Sequence, residues 1–154
     1  MSEFNYEEEL RKVGVHKVMT QDVIAASPNN KFSQVFQFFS ERNINHIPVC
    51  ENGALLGIIS NKDMMREVYK HVVVEKNTDM NLLDEKLKLS DIMSKNPISV
   101  DANQSLYDVR EMFYKTPFNC LPVTFNGKIV GIITPKDFVK MRIIHIDGSD
   151  YGGY

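Results

Sequence analysis

The sequence is short of the features that mark several large protein classes. No apolar run approaches the roughly 20 residues needed to cross a bilayer, so neither a membrane span nor membrane association is expected. The first residues, MSEFNYEEELRK, are acidic where a secretion signal needs a basic and then an apolar stretch, and the expected location is cytoplasmic. Cysteine occurs twice in 154 residues, at Cys50 and Cys120, in apolar strand-like runs without Cys-x-x-Cys spacing. Two buried free thiols in a reducing compartment are expected rather than a disulfide. His16, His46, His71 and His145 are scattered, with no spacing suited to a metal. There is no Gly-x-Ser-x-Gly elbow, no glycine-rich phosphate loop and no paired nucleophile and base, so no enzyme is expected. A net charge of −2 supplies no field for nucleic acid.

What the chain does contain is ordinary in amount and unusual in arrangement. Hydrophobic residues make up 43% and charged residues 25%, as in soluble globular proteins. The length fits one domain, or two half-domains sharing a core, and buries roughly 70% of the unfolded surface. With Met19 placed over Met93, an offset of 74 residues, the chain aligns with itself without a gap. Between Val18 and Asp63 there are 15 identities in 46 positions. They include Pro48-Val49 on Pro122-Val123, Asn52-Gly53 on Asn126-Gly127, Gly57-Ile58-Ile59 on Gly131-Ile132-Ile133, and Lys62-Asp63 on Lys136-Asp137.

Each copy predicts the order β-α-β-β-α. A short extended piece (Ile24 to Ala26, or Ile98 to Val100) precedes a helix. Its apolar positions, Phe32, Val35, Phe36 and Phe39 or Leu106, Val109 and Phe113, fall at helical spacing. Two apolar strands follow, joined by Asn-Gly, a strong hairpin signal because a type I′ turn needs two residues tolerant of positive φ. A second helix starts after Ser60 or Thr134. The fold class is therefore α/β (α+β). One copy leaves a sheet face bare, so two copies are expected to bury those faces around a pseudo-twofold axis. The divisions are an N-terminal helix at 1–13, repeat 1 at 14–73, a linker at 74–87, repeat 2 at 88–145 and a flexible tail at 146–154. Repeat 1 ends in an extended helix with Val68, Tyr69, Val72 and Val73 on its apolar side. A polar loop from Glu75 to Asp79 and a short helix from Leu82 to Leu87 come next.

Met19-Thr20, Ile47-Pro48-Val49 and Gly57-Ile58-Ile59-Ser60-x-x-Asp63 together resemble the CBS repeat, named after cystathionine β-synthase. Met93-Ser94, Leu121-Pro122-Val123 and Gly131-Ile132-Ile133-Thr134-x-x-Asp137 repeat the pattern, so the resemblance covers residues 14 to 142. It implies a tandem CBS pair, or Bateman module, with two clefts that in many members hold AMP, ADP, ATP or S-adenosylmethionine. It also implies a regulatory, non-catalytic role, a homodimer formed through helices, and no required cofactor. Family pairs are commonly attached to an enzyme, channel or transporter; no such domain is evident here, so the signal is expected to pass to a separate protein effector. The alternative is a ligand-free dimerisation or docking module.

On residue chemistry alone, Ser60-x-x-Asp63 and Thr134-x-x-Asp137 read as capping boxes, with Pro135 suited to a first helical position. A helix start also presents free N–H groups to an anion, and a carboxylate can accept from both ribose hydroxyls. In the family this Asp takes the ribose. The resemblance assigns Thr20, Asp22 and Val23, with Ile47 and Pro48, to one adenine slot, and Ser94, Asn96, Pro97, Leu121 and Pro122 to the other. Core packing is the competing role for Ile47 and Leu121. His46 stands where some members carry a phosphate contact, and its counterpart is Cys120, so the His46 cleft is expected to prefer phosphorylated ligand; an ordinary half-buried strand histidine is the competing role. Lys62, Lys136, Arg66 and Arg42 are further candidates.

Overall fold

The computed structural model describes residues 5–140. In chain order the elements are α1 (Tyr6–Lys12), a 3-10 turn (Val15–Lys17), α2 (Phe32–Arg42), β1 (His46–Glu51), β2 (Ala54–Ser60) and α3 (Asn61–Tyr69). A π-turn (Lys70–Val74), α4 (Asn81–Lys86), α5 (Leu89–Ile92), β3 (Ser94–Lys95), β4 (Val100–Asp101), α6 (Leu106–Lys115), β5 (Leu121–Phe125) and β6 (Lys128–Ile133) follow. A further helix begins at Asp137. The tail expected at 146–154 lies outside the described residues.

Both copies form the expected hairpin. β1 pairs antiparallel with β2, and β5 with β6. Asn52 and Gly53 have φ of 51° and 82°, and Asn126 and Gly127 have 50° and 76°, which is the positive-φ pair that a type I′ turn demands. A register shift follows Val49 in the first hairpin and Val123 in the second, so even the irregularity is duplicated. The short extended pieces join in parallel: Ala26 bridges to Val49, and β4 pairs with β5.

The compact units do not coincide with the sequence repeats. One unit is the contiguous stretch 24–97; the other combines 1–23 with 98–154. Thr20, at the head of the first copy, bridges to Ile132 in the second hairpin through bonds of 2.9 and 3.0 Å. Ser94 and Lys95, at the head of the second copy, pair with Ile58 and Gly57 in the first hairpin. The cores follow the same exchange. Leu10, Val15 and Val18 are buried with Val100, Leu106, Val109, Leu121, Val123 and Ile133. Leu83, Leu89 and Ile92 are buried with Phe32, Val35, Phe39, Ile47, Val49, Ile59 and Met64. Each unit thus keeps β-α-β-β-α order for its body and takes its leading segment from in front of the other copy.

The helix closing the first copy departs from expectation in one respect. Val68 packs against its core, but Tyr69 and Val73 stand 62% and 52% exposed. The helix after the 75–79 loop is found at Asn81–Lys86, and α5 was not anticipated.

Candidate functional site

In the inner unit, the hairpin register sets His46, the first residue of β1, opposite Ser60, the last of β2. Ser60 then caps α3. Its hydroxyl accepts the Asp63 N–H at 3.1 Å, and its own N–H donates to Asp63 Oδ2 at 3.0 Å, a reciprocal box. The hydroxyl also donates to Oδ2 at 2.6 Å. The other carboxylate oxygen, Oδ1, takes the Arg66 guanidinium at 3.0 Å. Burial works against charge on Asp63, but the two bonds from Ser60 and the Arg66 cation outweigh it and hold the carboxyl below its usual range. Burial pushes His46 down from the ordinary histidine value, opposed by the nearby Asp63 charge.

The second unit repeats this arrangement with different side chains. Leu121 pairs with Ile133, so Cys120 and Thr134 flank the pair where His46 and Ser60 stand in the first copy. The Thr134 N–H and hydroxyl donate to Asp137 Oδ2 at 2.8 and 3.2 Å, and Lys140 Nζ lies 2.7 Å from Oδ1. Asp137 is 3% exposed and more deeply set than Asp63. Burial, with the Asp137 charge adding to it, pushes the Cys120 thiol up to about 12. Both cysteines are free, Cys120 buried and Cys50 half-buried.

The leader exchange regroups the residues singled out in the sequence. Thr20 shares the sheet of Thr134 rather than that of Ile47 and Pro48. Ser94 and Asn96 share the sheet of Ser60, with the Asn96 N–H donating to Leu56 O at 3.2 Å, rather than that of Leu121 and Pro122. Sequence order cannot reveal this, because a strand's pairing partner is not written in its own residues. Asp22 and Val23 follow Thr20 at the point where the chain passes from one unit to the other. Ile47 and Leu121 are 0% and 1% exposed, inside the two cores, so only their backbones remain to face a ligand. Pro48 and Pro122 are buried too. Lys140 escaped the sequence reading, although the 74-residue offset lays it on Arg66, three residues past the aspartate in each copy.

Among the described residues, no cluster of three or more His, Cys, Asp or Glu could hold a metal ion. Among the same residues, no helix is long and apolar enough to cross a membrane.

The chain matches the family model of the CBS domain twice, at residues 15–70 and 89–143. Uncharacterised protein MJ0188 of Methanocaldococcus jannaschii is 31% identical over 132 residues, which cover 85% of this chain and 44% of that protein. CBS domain-containing protein YhcV of Bacillus subtilis is 26% identical over 123 residues, 80% of this chain and 81% of its own. Inosine-5'-monophosphate dehydrogenase of Mycobacterium leprae is 30% identical over 125 residues, 79% of this chain and 21% of the enzyme. The chain therefore spans less than half of MJ0188 and about a fifth of the dehydrogenase. Among solved structures, CBSX2 in complex with AMP superposes with a TM-score of 0.71 at 22% identity, over 86% of this chain and 98% of that one. The CBS domain pair of MJ0100, in complex with 5'-methylthioadenosine and S-adenosyl-L-methionine, superposes with a TM-score of 0.68 at 22% identity, over 84% and 99%.

Proposed function

The protein belongs to the CBS-domain family, and on that premise we propose that it is a non-catalytic regulatory module binding an adenine nucleotide or adenosyl compound beside Asp63, Asp137 or both. The observation that carries this reading is the duplicated aspartate with divided duties. In each copy Oδ2 is held by the cap, while Oδ1 is held by one exposed cation, Arg66 or Lys140. The Arg66–Asp63 pair is partly exposed, and such pairs contribute little, about 0–1 kcal/mol, so a ribose diol can take over Asp63 Oδ1 and leave the cation for a phosphate. Asp137, nearly fully buried, is the less accessible of the two. The complexes of CBSX2 with AMP and of MJ0100 with adenosyl compounds support the ligand class.

The first site would use Ser60, Asp63 and His46, with Ser94 on β3 and Asn96 just after it. The second would use Thr134 and Asp137, with Thr20, Asp22 and Val23 from the leader. The backbones of Ile47-Pro48 and Leu121-Pro122 would border the adenine. His46, Lys62 and Arg66 favour a phosphorylated ligand in the first site. Met65, Tyr69 and Val73 form an exposed apolar stripe at four-residue spacing, suited to a homodimer face. Output would run to a separate protein effector.

The test is thermal unfolding with AMP, ADP, ATP and S-adenosylmethionine, for the natural chain and for Asp63→Ala and Asp137→Ala. Ligand at about 100 times its Kd adds ~2.7 kcal/mol, a rise of several degrees in Tm. The rise should shrink in the variants. No rise with any of the four overturns the reading.

One observation favours a second reading, a ligand-free docking module: in both aspartates each carboxylate oxygen already has a partner within the protein. Mass spectrometry of gently purified protein separates the two, since a carried-over nucleotide is expected only for the first.

A further inference from the structure

His71 is the one histidine among the described residues that the core encloses, at 1% exposure. It sits where α3 widens into the π-turn, a rare feature that is frequent at functional positions. Its Nε2 lies 2.9 Å from the carbonyl oxygen of Asp79, and its Nδ1 lies 3.2 Å from Glu75 Oε2. The Asn77 N–H donates to the His71 carbonyl at 3.2 Å. The ring thus fastens the whole loop from Glu75 to Asp79.

Both partners of the ring are acceptors. A carbonyl oxygen has no proton to give, and neither has an ionised carboxylate. Glu75 is kept ionised: the hydrogen bond from His71 and then the Lys86 ammonium, 3.4 Å away, hold its carboxyl below the usual range. A neutral imidazole carries one N–H and one lone pair, so it satisfies one of these acceptors and turns a lone pair on the other. Only the imidazolium satisfies both. The charged groups acting on the ring are Glu75, on its own turn, and Lys86, on α4 through the shared carboxylate.

We propose that His71 is a buried imidazolium clasp on the segment between the two copies, and that losing one ring proton as pH rises releases that segment. The consequence reaches beyond the loop. The released stretch leads into α4, whose Leu83 is buried in the core and whose Asp84 caps α2 by accepting from the Ser33 N–H at 2.8 Å and the Ser33 hydroxyl at 2.7 Å. It then continues through α5 to β3, where Ser94 pairs with Ile58, two residues before Ser60. The state of one histidine therefore bears on the strand that borders the first candidate site. The proposal stands on this geometry and needs no ligand.

The experiment uses the full chain labelled with nitrogen-15, from about pH 5.5 to 8.5, the range in which histidine changes charge. Imidazole nitrogen spectra read the ring directly, and amide hydrogen exchange of residues 76–81, corrected for the intrinsic effect of pH, reads the clasp. His71 should carry two N–H groups at the acid end, and protection should fall about ten- to a hundredfold as one is lost, the scale of a single charge-assisted bond. Glu75→Gln is the paired variant. Its amide can accept from or donate to Nδ1, so it serves either ring state and should flatten the response. A ring with one N–H throughout, unchanged protection in the natural chain, or a full response in Glu75→Gln overturns the proposal.

Discussion

Met93 lies across Gly57 so closely that a β-carbon at Gly57 would stand 2.8 Å from Met93 Cγ, nearer still to its Sδ, and 3.0 Å from the Ser94 carbonyl oxygen. Met19 stands over Gly131 in the same way, with Cγ at 2.9 Å and the Thr20 carbonyl oxygen at 2.9 Å. The two glycines are what lets each leader lie flat against the sheet it joins. Gly57→Ala should cost ~1–3 kcal/mol by overpacking. In urea unfolding, Gly57→Ala combined with Met93→Ala should lose less than the sum of the two single changes. Strict additivity would mean that the pair does not press together.

Asp84 holds the start of α2 from 51 residues away, through the Ser33 N–H and hydroxyl. Its removal leaves the Ser33 N–H of that helix start without a side-chain acceptor. Asp84→Ala should cost about 1 kcal/mol, in the range of helix caps, seen as a lower urea midpoint with an unchanged slope. A stability equal to that of the natural chain would show the cap to be dispensable.

Burial is the larger influence on His46 and lowers it from 6.5, with the Asp63 charge opposing. The folded state therefore prefers the neutral ring. Its contribution to stability is present above 6.5 and is lost as pH falls through the lowered value. A phosphate beside the ring reverses the preference, so binding AMP in the first site should take up a proton, and the preference for AMP over adenosine should grow as pH falls. Calorimetry in buffers of different ionisation enthalpy measures the uptake. His46→Cys, which copies the second site, should abolish it; equal uptake in the two proteins would remove His46 from the phosphate role.

The Cys120 thiol, pushed up to about 12, holds a thiolate fraction of only about 10⁻⁴ at pH 8. Iodoacetamide followed by peptide mass spectrometry should mark Cys50 well before Cys120 in the folded protein, and both in urea. Fast native labelling of Cys120 would contradict its burial.

The body of each copy was legible because its signals are local. Asn-Gly sets the hairpin through φ alone, the helical spacing of Phe32, Val35 and Phe39 names the buried face of α2, and Ser60 with Asp63 announces a helix start. The leaders were not legible in that sense. Thr20 and Ser94 are equivalent residues with equivalent neighbours, and the choice of sheet is made by packing among segments far apart in sequence. The same limit hid His71, since one histidine in a helix forms no pattern until Glu75 and the Asp79 carbonyl meet it. Lys140 was within reach of the repeat and needed the alignment carried three residues past Asp137. Ile47 and Leu121 show the converse case, apolar positions whose side chains the cores use completely.

The interleaved arrangement of the two units sets an order of completion during translation. The inner unit possesses its whole sequence once Pro97 has left the ribosome. Leu10, Val15 and Val18 precede that unit and have no core to enter until Leu121, Val123 and Ile133 have been synthesised. These three apolar residues thus wait uncovered while the whole of the contiguous unit is synthesised between them and their partners.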